Sequence, residues 1–180
     1  MRNFNTRFRL RDTDRHIRLI YTLFLMTMLA AFLFSFFWAH SMTSLSPQRI
    51  ADHYRGSDVT FGEPMSFREL AEITHFHLFT MPVVFLILIH VLYLTMVGSR
   101  IKTLTTHGAF IGVALDLVSP WLITYVSPAF ALTMLTGDLL MTVTFAVMFA
   151  IPLYEMWFVK RPFMGQGDDE GTLLASAEGD

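Results

Sequence analysis

Histidines interrupt an apolar stretch of this sequence. The stretch THFHLFTMPVVFLILIH covers residues 74–90 and contains His75, His77 and His90. Hydrocarbon solvates imidazole poorly and offers no water to replace lost hydrogen bonds, so each ring needs a partner. Imidazole binds metals and exchanges protons near neutral pH. These histidines are therefore the first candidates for the chemistry of this chain.

Helical geometry sorts the three histidines into two faces. His75 and His90 are predicted to lie on one face, about 60° apart in rotation and roughly 22 Å apart along the axis. His77 and His90 point to nearly opposite sides. Pro82 leaves the Leu78 carbonyl without its helical donor and predicts a kink. The face of His75 continues at steps of three and four residues through Phe79, Pro82, Leu86, His90 and Tyr93.

The composition indicates a membrane protein. Of the 180 residues, 53% are hydrophobic and 16% charged, and the mean hydropathy is +0.49. The absence of Cys excludes disulfides, cysteine-ligated zinc, iron–sulfur clusters held by Cys and covalently attached haem. The sequence has no basic stripe or motif typical of nucleic-acid binding.

Four apolar runs predict an all-α integral membrane four-helix bundle. Ser66 and Glu69 fit a capping box, so the second of these helices is expected to begin at residue 67, outside the membrane. The spans are predicted at about 19–39, 74–97, 109–127 and 134–158, and an extracytoplasmic loop at 40–66.

Basic residues set the expected orientation. Six arginines lie in residues 1–18, Arg100 and Lys102 follow the second span, and Lys160 and Arg161 follow the fourth. Cytoplasmic loops of membrane proteins carry an excess of Lys and Arg. Both termini are therefore expected on the cytoplasmic side of a bacterial-type inner membrane. The segment 159–180 is acidic and rich in Gly, which predicts a disordered cytoplasmic tail.

The HFH sequence at 75–77 together with His90 resembles small four-helix cytochrome b subunits that anchor respiratory oxidoreductases. The resemblance covers the four spans. It implies that haem b is held between imidazoles of different helices at matching depth. It further implies electron transfer between the quinone pool and a larger extracytoplasmic cytochrome or oxidoreductase. Such a chain would be a non-catalytic or quinone-reactive subunit rather than a complete enzyme.

For an outer haem, this resemblance implies His40 and either His75 or His77 as iron ligands. His40 ends the first span at the level where the second span enters. Arg55 or Arg68 would clamp a haem propionate through paired N–H donors, or bind the acidic rim of a partner.

A second haem near the inner side would lack a clear second iron ligand at the depth of His90. His90 is expected about seven residues inside its helix end, whereas His16 and His107 lie at the membrane boundary. Met26 or Met28 would match the depth of His90, and a partner subunit is another source for the missing ligand. We therefore expect one haem rather than two.

Asp116 offers a competing use for His90. It is expected about eight residues inside the cytoplasmic end of the third span, at the depth of His90. A His90–Asp116 pair would relay protons from a quinol or within a proton-coupled transport component. This pairing competes with iron binding unless His90 binds metal through Nε2 while donating from Nδ1 to Asp116. A haem-free structural or assembly subunit is the third hypothesis.

Simpler interpretations remain open for several residues. His77 would merely hydrogen-bond at the outer surface, and Glu155 would lie at the interface and reach Lys160 or water. Asp116 would be satisfied by a Ser or Thr hydroxyl on a neighbouring span. An extracytoplasmic zinc or copper site is disfavoured, because two histidines two positions apart diverge on a helix. Its candidate ligands are His40, Asp52, His53, Glu72, His75 and His77.

Overall fold

Five helices make up most of the chain in the computed structural model, which describes residues 9–57 and 62–159. The expectations for the first eight residues and for the tail from residue 160 onward lie outside the described residues. Short 3-10 turns occupy Leu10–Asp12 and Pro128–Phe130. The helices are α1 (Arg15–Thr43), α2 (Pro47–Arg55), α3 (Phe67–Tyr93), α4 (Ser99–Tyr125) and α5 (Ala131–Phe158).

Four of these helices are long and apolar enough to cross a membrane, namely α1, α3, α4 and the segment Pro128–Phe158 that contains α5. The prediction of an all-α, four-span membrane bundle is confirmed. Within the described ranges, β structure is limited to an isolated bridge between Ser57 and Gly62. The chain is a multi-pass membrane protein.

Local sequence explains where α3 and α2 begin. Ser66 accepts from the Glu69 amide at 3.3 Å, and Glu69 accepts from the Ser66 amide at 2.8 Å, which confirms the predicted capping box. Pro47 occupies the first turn of α2, where a missing N–H costs nothing. Gly56 follows with φ of +78°, in a region that favours glycine.

The closest helix pair is α4 with α5. A Cβ added at Gly112 would lie 2.7 Å from Cγ of Met141 and 3.1 Å from the Gly137 carbonyl oxygen. A Cβ at Gly137 would lie 2.9 Å from Cβ of Leu115. Only glycine at these two positions lets the backbones approach this closely, as is common between membrane helices.

α1 packs on the other helices mainly through its first half. Leu25 is fully buried, and the ring of Phe32 stacks on that of Phe145 with centroids 4.2 Å apart. Every residue from 33 to 42 is exposed. The second half of α1 therefore presents its apolar side chains to the membrane and does not contribute them to the core of the chain.

We call the end of the bundle where the chain turns from α3 into α4 its inner end, and the opposite end, which carries α2, its outer end. At the inner end, charged side chains bind backbone groups. Lys102 donates to the carbonyls of Tyr93 and Thr95 at 3.0 and 2.7 Å. Glu155 accepts from the Met96 amide at 2.6 Å. These bonds satisfy backbone groups that the helix ends leave free.

Candidate functional site

Antiparallel packing of α3 and α4 brings a histidine to a carboxylate. His77 lies ten residues after α3 begins, and Asp116 lies nine residues before α4 ends, so the two side chains share one depth. Nδ1 of His77 is 3.6 Å from Oδ2 of Asp116. Asp116 is 8% exposed and His77 is half-buried. Nearby, the indole N–H of Trp121 donates to the Thr74 hydroxyl at 2.8 Å and holds the same two helices together.

A second carboxylate, Asp138, approaches the first because of the close packing of α4 and α5. Gly137 packs against the backbone of Gly112 and the Asp116 amide, which leaves Asp138 beside this contact. The charges of Asp116 and Asp138 interact. Two carboxylates in a medium of low dielectric repel each other unless a proton or a cation lies between them.

The amphipathic helix α2 adds a tyrosine from the outer side. Ile50, Ala51 and Tyr54 are buried against the outer ends of the spanning helices. Burial, and then the charges of Asp116 and Asp138, raise the pKa of Tyr54 well above its usual value of 10.0. The phenol is therefore neutral at physiological pH, within electrostatic range of both carboxylates. We call Tyr54, His77, Asp116 and Asp138 the outer polar cluster.

The outer polar cluster contains hydrogen-bonding capacity that the described residues leave unused. Oδ2 of Asp116 is buried without a hydrogen-bond partner among them, because 3.6 Å to His77 is too long for a strong bond. The hydroxyl of Ser119, one turn further along α4, is fully buried and also lacks a partner there. An unpaired buried oxygen is costly, so this region has unused capacity to bind a hydrogen-bonding group.

The expected pairing of Asp116 with His90 is wrong. α4 begins at Ser99 rather than near residue 109, so Asp116 lies closer to the outer end of its helix. His90 lies three residues before α3 ends at Tyr93, close to the opposite end, and its side chain is exposed. The physical reason is that the polar segment 99–108 continues the helix beyond the apolar run. Asp116 therefore meets His77 on the buried side of α3.

The predicted division of histidines between two faces of α3 is confirmed. His77 faces the bundle, whereas His75 and His90 are exposed. The ring of His75 contacts that of Phe79 with centroids 5.0 Å apart. His40 is exposed on α1. These three predicted haem ligands thus lie outside the core of the chain, where a cofactor, a lipid or another chain has access to them.

The described residues contain no group of three or more His, Asp or Glu side chains placed to hold a metal ion. The candidate ligands of an outer zinc or copper site are accordingly not gathered into such a group. Of these candidate ligands, His77 contacts Asp116, which is not one of them.

The two arginines proposed for a haem propionate have partners within the chain. Arg55 donates to the carbonyls of Ile123 and Thr124 at 2.9 and 3.3 Å, where α4 ends. Arg68 forms an exposed ion pair with Glu72 at 2.9 Å. Arg55 therefore already serves to cap a helix, and Arg68 remains at the outer surface.

Glu155 differs from its expected interfacial position. Its side chain is 5% exposed, with Oε2 bonded to the Met96 amide and Oε1 unpartnered among the described residues. The physical reason is that the turn between α3 and α4 folds over the end of α5. The free backbone amide of Met96 in this turn thereby reaches the carboxylate of Glu155.

Sequence reasoning missed Tyr54 and Asp138. Asp138 is a charge within the apolar fourth span, which is the same signal that identified Asp116. Tyr54 follows Ile50 and Ala51 at helical spacing after Pro47, a pattern typical of a short amphipathic helix. Both signals were present, but the partners of Tyr54 depend on the tertiary structure.

Comparison with known proteins yields one family. A family model described as a transmembrane helical domain matches residues 44–163, two thirds of the chain. The matched segment contains α2 to α5, including the whole outer polar cluster, and excludes α1. No curated protein and no solved structure matches this chain.

Proposed function

The chain belongs to the Aq_1264_TM family of transmembrane helical domains, and we propose that it binds and transfers protons at the outer polar cluster. It acts as the proton-handling part of a membrane transport system. His77 takes the role that sequence reasoning gave to His90.

The contact between His77 and Asp116 carries this proposal. Ionisable residues within spanning segments are rare and costly, and they commonly mark ion or proton pathways. Here a histidine and a buried carboxylate face each other at 3.6 Å, and a second carboxylate lies within electrostatic range. A purely structural role would favour full hydrogen bonding, yet Oδ2 of Asp116 lacks such a bond among the described residues.

The proposed step conserves charge within the cluster. A proton on the His77 imidazolium moves to the Asp116 carboxylate, which leaves neutral imidazole and a carboxylic acid. Asp138 competes with Asp116 for this proton, because two neighbouring carboxylates do not readily both stay ionised in a medium of low dielectric. Histidine suits this exchange because its ordinary pKa lies near physiological pH.

Tyr54 gives the cluster its outer boundary. It comes from α2, which lies outside the spanning segments and covers the ends of α4 and α5. A neutral phenol both donates and accepts hydrogen bonds, so it is suited to pass a proton between water and the carboxylates. Protons would enter from the side on which α2 lies.

The basic segments support an orientation for this path. We place the ends near Arg15, Arg18 and Lys102 in the cytoplasm, and α2 on the extracytoplasmic side of a bacterial-type inner membrane. The path would then begin at the extracytoplasmic surface.

Proton flux in vesicles tests the proposal. Purified protein is reconstituted with an internal pH-sensitive dye, and a potassium gradient with valinomycin sets the membrane potential. We expect faster proton entry than in empty vesicles, and Asp116→Asn should reduce it to the rate of empty vesicles. Equal flux for the native chain and Asp116→Asn would refute the proposal.

Glu72→Gln provides the matched control. This substitution also removes one carboxylate charge, but Glu72 is exposed on α3 and pairs with Arg68 outside the cluster. Its flux should equal that of the native chain. A loss of flux equal to that of Asp116→Asn would mean that net charge, not the cluster, controls it.

The second candidate function is a haem b-binding subunit that moves electrons between the quinone pool and a larger redox complex. The placement of His75 and His90 on one exposed face of α3 favours it, since both rings are free to approach a cofactor from outside the bundle. The second axial ligand would come from His40 or from another subunit.

An optical spectrum tests this candidate independently of proton flux. The purified membrane protein, first oxidised and then reduced with dithionite, should show the sharp α-band of haem b. His75→Ala should weaken that band. A preparation without the band would refute haem binding and leave the proton proposal unaffected.

A further inference from the structure

Three oxygen atoms close together on α4 lack the hydrogen-bond partners that a buried oxygen normally has. Oδ2 of Asp116 is buried without a partner among the described residues, and so is the hydroxyl oxygen of Ser119. Pro120 has no amide hydrogen, so the backbone carbonyl of Asp116 loses its usual helical donor. We call these three oxygens the α4 oxygen group.

The Ser119 hydroxyl is not used by the backbone of its own helix. A hydroxyl inside a helix commonly donates to the carbonyl four residues earlier, as Thr124 does to Pro120 at 2.8 Å. Ser119 does not make this bond. Asp116 and Ser119 are about 60° apart in rotation and roughly 4.5 Å apart along the axis, so they share one face of α4. The hydroxyl therefore remains free to bind a ligand on the face that carries the Asp116 carboxylate.

Other helices shield this face of α4 from lipid. Gly137 of α5 packs against the backbone of Gly112, and Asp138 follows it with a charge that acts on Asp116. From α3, Nδ1 of His77 lies 3.6 Å from Oδ2 of Asp116. The buried residues of α2 cover the outer side. The α4 oxygen group is thus enclosed by protein and has a second carboxylate within electrostatic range.

We propose that the α4 oxygen group binds a monovalent alkali cation. Its ligands are a carboxylate, a backbone carbonyl and a hydroxyl oxygen, all of which are hard donors. Backbone carbonyls at breaks in spanning helices coordinate Na⁺ in several transporter folds. The cation gives the two unpartnered side-chain oxygens a common partner, and Asp138 adds a second negative charge that attracts it.

The number and kind of these ligands favour a monovalent ion over a divalent one. Ca²⁺ takes about six to eight oxygen ligands, and Mg²⁺ demands a near-octahedral set. In the part of the chain that the structure describes, no three His, Asp or Glu side chains are grouped to hold a metal ion. A single positive charge neutralises the Asp116 carboxylate and leaves no excess charge to be buried.

This inference deepens the proposed function and rests on it, because the ion takes the place of the proton that Asp116 is proposed to exchange. Binding converts the Asp116 carboxylic acid into a carboxylate, and the released proton passes to water. One positive charge enters as another leaves, so the net charge of the outer polar cluster is unchanged. The transport reaction is then an exchange of an alkali cation for a proton.

Thermal melting of the purified full-length chain in NaCl, KCl or choline chloride, at equal ionic strength, provides the test. An ion that binds only the folded state raises the melting temperature, and the rise grows with ion concentration. We expect this rise in NaCl or KCl and not in choline chloride. Ser119→Ala removes one ligand and should weaken the apparent affinity several-fold. Asp116→Asn should abolish the rise.

Two variants serve as matched controls. Ser35→Ala also removes a serine hydroxyl, but Ser35 is exposed on α1 and donates to the Ala31 carbonyl at 3.0 Å. Glu72→Gln removes an exposed carboxylate that pairs with Arg68. Both variants should keep the full response of the native chain to NaCl or KCl.

Two outcomes would overturn the ion site. The first is equal melting of the native chain in all three salts, and the second is an unchanged ion response in Ser119→Ala. The second outcome decides the matter even where Asp116→Asn does not fold. Proton flux without an ion response would refute this inference alone. An ion response without proton flux would refute proton transfer and leave the binding site in place.

Discussion

At the scale of single residues, Asp116 and Glu155 are two buried carboxylates in different environments. Glu155 accepts a backbone N–H at 2.6 Å, whereas Asp116 faces the side chain of His77 at 3.6 Å. A backbone donor does not titrate, so Glu155 is suited to hold structure. An imidazole does titrate, which is why the proposed proton exchange is assigned to the contact between His77 and Asp116. The two carboxylates should therefore respond differently to substitution.

Glu155→Ala should destabilise the protein by about 1.5–3 kcal/mol, because it removes a charge-assisted hydrogen bond and leaves the Met96 amide unpaired. Glu155→Gln keeps a carbonyl acceptor and should cost less. Unfolding in detergent measures both. Glu72→Ala, which removes an exposed carboxylate with an ion pair, should cost at most about 1 kcal/mol. Equal stability of Glu155→Ala and the native protein would show that this bond does not hold the α3–α4 turn.

Tyr54 should make stability sensitive to alkaline pH. Its pKa is raised in the folded protein by burial and by two nearby carboxylates, while in the unfolded chain it stays near 10.0. The folded state therefore keeps the phenol proton after the unfolded state has lost it. Stability should fall as pH rises above about 10, by up to about 1.4 kcal/mol per pH unit.

Thermal melting at pH 8 and above pH 10 measures this effect. Tyr54→Phe has no phenol to ionise and should lose less stability over this interval than the native chain. Tyr125→Phe removes an exposed tyrosine and should behave as the native chain does. Identical alkaline losses in the native chain and Tyr54→Phe would contradict the raised pKa.

At the scale of elements, the contact between α4 and α5 positions the outer polar cluster. Gly137→Ala would place a methyl group 2.9 Å from Cβ of Leu115 and 3.1 Å from the Gly112 carbonyl oxygen. The helices must separate, at a cost of about 1–3 kcal/mol. Gly98→Ala meets no atom within 4 Å and is the matched control. Melting of both variants measures the difference, and equal melting temperatures would show that close packing here is dispensable.

Sequence patterns predicted the apolar parts of these elements well and the polar parts poorly. The start of α3 was predicted correctly because a capping box is a local signal between Ser66 and Glu69. The start of α4 was placed ten residues too late, because residues 99–108 are polar and carry no hydropathy signal. Residues 47–55, which form α2, are also polar overall, so hydropathy alone predicts a loop there. Local polarity marks the membrane boundary, whereas the helix continues past it.

The late predicted start of α4 also shifts the expected depth of Asp116, and with it the expected partner of this carboxylate. A position of Asp116 near the inner end predicts His90 as its partner. The structure instead pairs Asp116 with His77, which helical periodicity places on the face of α3 opposite to His90. The face of a residue follows from helical periodicity alone. Its depth depends on where the neighbouring helices begin and end, and a pairing requires both.

At the scale of the whole molecule, α1 is distinct from the rest. The family match covers α2 to α5, and half of α1 is exposed along every side. The outer polar cluster is built entirely within the matched segment. We therefore expect α1 to anchor and orient the domain rather than to contribute to proton exchange.

The orientation of the molecule determines which compartment supplies protons to the outer polar cluster. Because the native chain lacks cysteine, Gln48→Cys on α2 and Ser99→Cys at the start of α4 report on opposite ends of the bundle. A membrane-impermeant maleimide should label Gln48→Cys in spheroplasts. It should label Ser99→Cys only in inverted membrane vesicles. This pattern follows from the arginines near α1 and from Arg100 and Lys102. The reverse pattern would place Tyr54 toward the cytoplasm, and the proton path would then begin there.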